Sequence, residues 1–317
     1  MKILITGAVG FIGYHLSKSF LKSNYKVYGI DSFNSYYSIK LKKLRLSNLS
    51  KNKNFYFKKM NLCNYHNSLN YIKKIKPDYV FHLAGQPGVI YSYKDPVSYK
   101  NNNILATENL IKIINIYKVR KFIFASSSSV YGNKKKFPIV ENQLLKPENY
   151  YGMTKKICEK VIKSKLKVPY IIFRLFTVYG SFGRPDMFFS IFLRKIFAKK
   201  NINLYNHGEY VRDFTYIDDV IDVFRKVMFL NIKKKILNVC SSNPIKMNDL
   251  IKIIRRILKI KIIINYKNSR KGEMTKTYGS NLRLQKLINK KKYFRIDQGI
   301  RVIIKKFSNL EKKIKVN

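Results

Sequence analysis

Short apolar runs alternate with longer amphipathic stretches over the first three quarters of the chain. The runs are Lys2–Thr6, Tyr25–Ile30, Phe55–Phe57, Tyr79–Leu83, Phe122–Ser126, Tyr170–Arg174 and Ile236–Val239, dominated by Val, Ile, Leu, Phe and Tyr. Such runs, with little polar alternation, suit strands buried on both faces of a parallel sheet. Between them, apolar residues recur at helical spacing over Phe11–Leu21, Asn67–Ile75, Val97–Tyr117, Tyr151–Leu166 and Ile217–Leu230. The alternation predicts an α/β protein with a doubly wound parallel sheet and its ligand at the carboxyl ends of the strands. After about residue 176 the pattern loosens into short elements, which predicts a smaller C-terminal lobe. No internal repeat and no long linker interrupts it.

The first run ends at Gly7, and Gly7, Gly10 and Gly13 form G-x-x-G-x-x-G leading into a helix. In a strand-turn-helix of this kind the first glycine permits the tight turn. The second lets the backbone approach a pyrophosphate, and the third lets the helix pack closely on the strand. Asp31 closes the second run, eighteen residues after Gly13. A carboxylate there accepts hydrogen bonds from an adenosine ribose and repels a 2′-phosphate, so NAD is expected in preference to NADP.

Tyr151 and Lys155 lie four apart in a helical stretch and so share one face, where the ammonium can stabilise a phenolate. That makes the tyrosine a candidate base. With 24 tyrosines the spacing also recurs by chance, as at Tyr14/Lys18 and Tyr36/Lys40. Only Tyr151/Lys155 follows an apolar run, Lys121–Ala125, that ends in a hydroxyl cluster, Ser126–Ser129, before Val130-Tyr131-Gly132.

With 317 residues, 46% of them hydrophobic, the chain can bury a full core. Its net charge of +48 would ordinarily point to a polyanion. The lysines are scattered, however, with only short runs at Lys134–Lys136, Lys233–Lys235 and Lys290–Lys292, and the excess of Lys, Asn, Ile, Tyr and Phe is what A+T-rich codons give. Nucleic acid is therefore not the expected partner. Cys63, Cys158 and Cys240 show no Cys-x-x-Cys spacing, which fits a reducing cytoplasm. His15, His66, His82 and His207 lack ligand spacing, so no metal is expected. No apolar run reaches the roughly eighteen residues of a membrane span, and the glycine spacing of the first thirteen residues argues against a signal peptide.

On these motifs the chain resembles the extended short-chain dehydrogenase/reductases, and within them the NAD-dependent sugar epimerase/dehydratase family. The likeness is narrowest to the UDP-glucuronate 4-epimerases. It spans nearly the full length: Gly7–Gly13, Asp31–Tyr37, His82–Gly88, Ser126–Gly132, Tyr151–Lys155, Arg174–Gly180, Gly183-Arg-Pro-Asp-Met187 and Arg212–Asp219 all carry it. The resemblance implies a Rossmann-type NAD-binding domain from residues 1–176 and 213–240. A nucleotide-sugar-binding lobe would come from 177–212 and 241–317. It also implies a UDP-sugar substrate, tightly retained NAD, and a homodimer built on helices of the cofactor domain.

Carried over position by position, the resemblance makes Tyr151 the base for the sugar 4-hydroxyl, Lys155 the holder of the nicotinamide ribose, and Ser127 a proton-relaying hydroxyl. Gly7, Gly10, Phe11, Ile12, Gly13, Asp31 and Asn34 would bind the cofactor, joined by Asn61, Leu62, Leu83, Ala84, Gly85 and Asn103. Arg212 and Arg270 would meet the uridine diphosphate, with Gln86 also on the substrate. Thr177 and Arg184 would take the sugar carboxylate beside Ser128 and Ser129, a task for which a guanidinium fork suits a carboxylate and not a neutral hydroxymethyl group.

The chain departs from the family pattern at Asn61, Ile90, Ser181, Phe182 and Glu273, none of them in the Ser127/Tyr151/Lys155 triplet. The implied reaction is a transient oxidation at the sugar's C4, converting UDP-glucuronate to UDP-galacturonate through a 4-keto intermediate. Related dehydratases and decarboxylases carry an acidic residue near the hydroxyl before the Val-Tyr-Gly turn, and Ser126–Ser129 contains none. A neutral UDP-hexose 4-epimerase, a UDP-glucuronate decarboxylase and a non-catalytic dinucleotide-binding protein are the alternatives.

Overall fold

The computed structural model describes residues 1–270 and 272–315; position 271 and the last two residues of the expected smaller lobe lie outside it. In chain order the strands are β1 (Lys2–Thr6), β2 (Lys26–Asp31), β3 (Phe55–Lys59), β4 (Tyr79–His82), β5 (Lys121–Ser127) and β6 (Tyr170–Leu175). They continue with β7 (Thr177–Tyr179), β8 (Ile202–Tyr205), β9 (Val211–Tyr216), β10 (Lys234–Val239), β11 (Pro244–Lys246) and β12 (Ile264–Lys267).

Seven of these form one parallel sheet in the order β10-β6-β5-β4-β1-β2-β3. The chain leaves β1 towards β2 and β3, then returns to place β4 on the other side of β1. At that reversal the connections depart over opposite faces of the sheet, and a crevice opens beyond the carboxyl ends of β1 and β4. Both faces are covered, as the apolar runs predict. Ile3, Ile5, Phe81 and Phe173 belong to one buried cluster, whereas their strand neighbours Leu4, Val80 and Ile172 belong to another. Successive side chains of a strand point to opposite faces, so the parity of each apolar residue decides its cluster.

The later chain adds a three-stranded sheet, β11-β9-β7, and a two-stranded one, β12-β8, with helices Phe188–Phe197, Met247–Leu258, Leu282–Ile288 and Ile296–Lys315. Two elements differ from the sequence reading. The stretch Val97–Tyr117 is not one helix: short turns at Tyr91–Lys94 and Pro96–Tyr99 lead through a wide π turn, Lys100–Leu105, into the α-helix Ala106–Tyr117. A helix not anticipated spans Ile39–Ser50, and its buried positions are Leu41, Lys42, Arg45 and Leu49. Two cations stand where an apolar stripe would announce a helix, which is why periodicity passed over it.

Candidate active site

The turn after β1 builds the floor of the cleft. Gly7 has φ +70, and its N–H donates to the Ile30 carbonyl at 2.7 Å, tying the turn to β2. A Cβ on Gly13 would lie 2.0 Å from the Gly7 carbonyl oxygen, so only glycine lets the helix Phe11–Lys22 approach the turn. No side chain caps that helix. The first-turn amides have no intrahelical acceptor, and Gly10, Phe11, Ile12 and Gly13 line the cleft. These features fit a pyrophosphate.

Asp31 ends β2, lines the same cleft and accepts the Phe33 N–H at 2.9 Å. Burial pushes its carboxyl up, while the nearby Lys42 ammonium pulls it down. Lys42 Nζ donates at 2.8 Å to both the carbonyl and side-chain oxygens of Asn34, whose amide donates to Gln86 Oε1 at 2.9 Å. The buried face of helix Ile39–Ser50 thus holds the loop that follows Asp31.

The opposite wall is Leu83-Ala84-Gly85, set by a buried polar chain behind it. The Thr107 hydroxyl spends its hydrogen on the Asn103 carbonyl, at 2.6 Å, so it accepts from His82 Nε2 at 2.9 Å. His82 Nδ1 then accepts from the Thr6 hydroxyl, at 2.7 Å, whose oxygen receives the Ala84 N–H at 3.1 Å. The ring is fully buried, which lowers its pKa to about 3 and keeps it neutral in this tautomer. Asn103 stands against this wall at Gly85. Its amide oxygen accepts from Gln86 N–H at 2.6 Å and its amide nitrogen donates to Thr154 Oγ1 at 2.9 Å, so it braces the wall.

Tyr151 and Lys155 sit on the first turns of helix Tyr150–Lys165. Asn149 caps that helix, its side chain accepting the Gly152 N–H at 2.8 Å. A Cβ on Gly152 would come within 2.5 Å of the Ser129 carbonyl, so glycine here seats the helix against the serine turn. Lys155 Nζ donates to the Ala125 carbonyl at 2.9 Å and lies 4.7 Å from the Phe124 ring centre. Ser127 Oγ accepts the Ser129 N–H at 3.1 Å and donates to Ser129 Oγ at 3.2 Å. Behind them, Ser126 Oγ donates to Glu159 Oε1 at 2.6 Å. This carboxylate, distant in sequence, does fold beside the serines. It is buried, lies outside the cleft lining, and is held by Arg174 through Nε at 3.0 Å and Nη2 at 2.7 Å.

At the far end, Thr177 begins β7 and Arg184 follows in the loop, both lining the cleft. Arg184 donates to Asp186 through Nε and Nη2, each at 3.0 Å, and the Tyr36 hydroxyl donates to the same carboxylate at 3.0 Å. Arg212 stacks 4.6 Å from the Tyr210 ring centre and Arg270 3.9 Å from that of Tyr205. Glu273, one of the departures, accepts from Arg270 Nη2 at 2.6 Å. Asn61, Leu62, Gln86, Ser128 and Ser129 complete the lining. Apart from Asn103, which stands against its wall, every residue given a site role from the sequence lines one cleft of about 720 Å3. Sequence reasoning missed Tyr36, Lys42, Asn149 and Asp186 as functional positions. Tyr36 and Asp186 lie inside stretches that carry the resemblance, Asp31–Tyr37 and Gly183–Met187, whereas Lys42 carries no local signal.

Comparison with known proteins agrees with this geometry. Residues 3–240 match the model of the NAD dependent epimerase/dehydratase family. A UDP-glucuronate 4-epimerase of Thermodesulfobacterium geofontis is 32% identical over 306 residues, covering 94% of this chain and 93% of that protein. The crystal structure of UDP-glucuronic acid 4-epimerase from Bacillus cereus, in complex with UDP-glucuronic acid and NAD, is similar with a TM-score of 0.92. It is 33% identical and covers 98% of this chain and 100% of that one. A UDP-N-acetylglucosamine 4-epimerase from Methanobrevibacter ruminantium, in complex with UDP-N-acetylmuramic acid, has a TM-score of 0.87 at 26% identity, with 98% of each chain covered. Motifs, strand order and a match over most of the length coincide, and the chain belongs to the NAD-dependent epimerase/dehydratase family.

Proposed function

We propose that this protein is a UDP-glucuronate 4-epimerase that forms UDP-galacturonate. The observation that carries the reading is the placement of Arg184 and Thr177 in the same cleft as Ser127, Tyr151 and Lys155. The Gly7–Gly13 turn holds the cofactor's pyrophosphate and Asp31 its adenosine ribose, while Leu83–Gly85 form the wall beside it. When bound, NAD supplies the reversible hydride acceptor that interconverts the C4 carbinol and ketone of the sugar.

Tyr151 takes the 4-hydroxyl proton and later returns it, and Lys155, fixed by the Ala125 carbonyl, holds positive charge beside the phenolate. Ser127 relays the proton. Arg212 and Arg270 bind the diphosphate, their planes set by Tyr210 and Tyr205. Arg184 and Thr177 grip the C6 carboxylate, which the 4-ketone makes part of a β-keto acid prone to lose carbon dioxide. Among the described residues, the carboxylates lining the cleft are Asp31, Asp186 and Glu273, and none lies on the serine turn where a dehydratase acid would act. The two-lobe division at residues 176, 212 and 240 belongs to the same proposal. So do a homodimer, for which Leu105, Ile116 and Met153 are exposed apolar side chains, and a cytoplasmic role in supplying glycosyl donors for polysaccharide.

One observation favours a neutral UDP-hexose instead: Arg184 already has Asp186 as its counter-ion. A proton NMR time course with UDP-glucuronate and, separately, UDP-glucose decides between them. The expected result is an equal-mass product with galacto configuration at C4 from the acid, slowed about 10²–10⁴-fold in Tyr151→Phe. Turnover of UDP-glucose alone would move the function to a neutral-sugar epimerase.

A further inference from the structure

The Arg184–Asp186 pair uses one edge of the guanidinium and leaves another. An arginine carries five N–H groups. Asp186 engages Nε–H and one hydrogen of Nη2 with its two oxygens, at 3.0 Å each. One Nη1 hydrogen and the second Nη2 hydrogen make up the end-on edge, which also matches a carboxylate bidentately. Among the described residues Nη1 has no protein acceptor within hydrogen-bond distance.

Asp186 is in turn fixed from across the cleft. Tyr36, in the loop after β2 and 150 residues away in sequence, donates its hydroxyl to Asp186 Oδ2 at 3.0 Å. Room for that ring depends on Gly88, where a Cβ would stand 2.2 Å from the Tyr36 hydroxyl. Burial and the Asp186 charge both push the Tyr36 phenol up, so it stays protonated and remains the donor.

We propose that Asp186, anchored by Tyr36, is a positioning residue that fixes the plane of Arg184 so that its end-on edge receives the sugar carboxylate. The inference rests on the acidic-sugar reading above. It gives the counter-ion a purpose: a guanidinium held on one edge cannot swing, so the carboxylate it grips keeps C6 fixed against the ring. The position of C6 matters because decarboxylation of the 4-keto sugar requires the C5–C6 bond to stand parallel to the ketone π orbitals, which the ring reaches by puckering about C4–C5 and carrying C6 out of its mean plane. The C5–C6 bond then breaks, carbon dioxide leaves, the electron pair becomes a C4 enolate, and a proton from water closes C5 to give a UDP-4-ketopentose.

The test compares Asp186→Asn and Tyr36→Phe with the parent protein, each checked for retained NAD and secondary structure, and measures KM and product ratio with UDP-glucuronate by proton NMR. Asp186→Asn is expected to raise KM roughly tenfold and to divert a measurable fraction of turnover to carbon dioxide and the UDP-4-ketopentose, or the UDP-pentose formed from it when the hydride returns to C4. Tyr36→Phe, which leaves Asp186 charged, is expected to shift both in the same direction by less. A lower KM in Asp186→Asn would mean that Asp186 competes with the substrate carboxylate, and would overturn the proposal. An unchanged product ratio in both variants would overturn it too, since a merely structural residue changes rate without changing partition. Should Asp186→Asn fail to fold, the Tyr36→Phe ratio alone decides. A parent protein that leaves UDP-glucuronate untouched defeats the acidic-sugar reading itself, an outcome visible before any variant is made.

Discussion

Gly13 shows how little freedom the cleft floor has. A single added carbon would sit 2.0 Å from the Gly7 carbonyl oxygen and 3.0 Å from Ala8 Cα, and both contacts are backbone. Gly13→Ala must therefore push the helix off the turn, at a cost on the order of 1–3 kcal/mol or more. It is expected to lower the thermal midpoint and to yield protein without co-purifying NAD, read from the absorbance of the purified material. Arg45 is the opposite case, a large side chain that the interior requires. Fully buried, it donates to the Val9 carbonyl at 2.9 Å, the Tyr37 hydroxyl at 2.8 Å and the Phe182 carbonyl at 2.6 Å. That explains how the chain accommodates its departure at Phe182. The residue adopts φ +57, turns its carbonyl to Arg45 and packs its ring 5.1 Å from Tyr14.

Helix Tyr150–Lys165 carries Tyr151, the proposed base, on its first turn, where a helix frays most readily. Asn149 both caps that turn and donates to the Gly272 carbonyl at 3.3 Å. Asn149→Ala is expected to cost about 1 kcal/mol of stability. Because the lost cap lies two residues from Tyr151, turnover should fall further than the denaturation midpoint implies, which kcat and a urea titration of one preparation would show. Elements like this one explain what the sequence made legible. Tyr151 and Lys155 lie within one helix, and Gly7 to Gly13 within one turn, so their geometry follows from spacing. The inner strands were readable because burial on both faces leaves them few polar positions. Helix Ile39–Ser50 was not, since Lys42 and Arg45, which serve Asn34 and the glycine turn, share its inner face with Leu41 and Leu49 and break the apolar stripe. The link between Tyr36 and Asp186 was equally hidden. Residues 150 positions apart meet only because the sheet reverses between β1 and β4.

Across the whole molecule, burial of titratable groups sets how stability follows pH. His82 and His15 are held neutral, with pKa values lowered to about 3 and about 4, chiefly by burial. Unfolding below pH ~6.5 lets both take up protons, so their contribution is full above that value and is lost as pH falls. Asp213 works the other way. Burial raises its carboxyl to about 6, against hydrogen bonds from Ser241 and Gly279, so its contribution is full below about 4 and is lost as pH rises through 6. The histidines outweigh it, and urea midpoints should decline from pH 7 to pH 4.5. Asp213→Asn, which removes the opposing group, should make that decline steeper; a shallower one would show the sign to be wrong. The buried pair of Glu159 and Arg174 bears on the scaffold's capacity to change its chemistry. Glu159 is the carboxylate next to the serine turn, 2.6 Å from Ser126, yet withdrawing it would strand a buried guanidinium at a cost of roughly 3–5 kcal/mol. Descent or design that turned this fold towards dehydration would therefore have to bring its acid in at Ser126–Ser129 itself, leaving Glu159 committed to the frame.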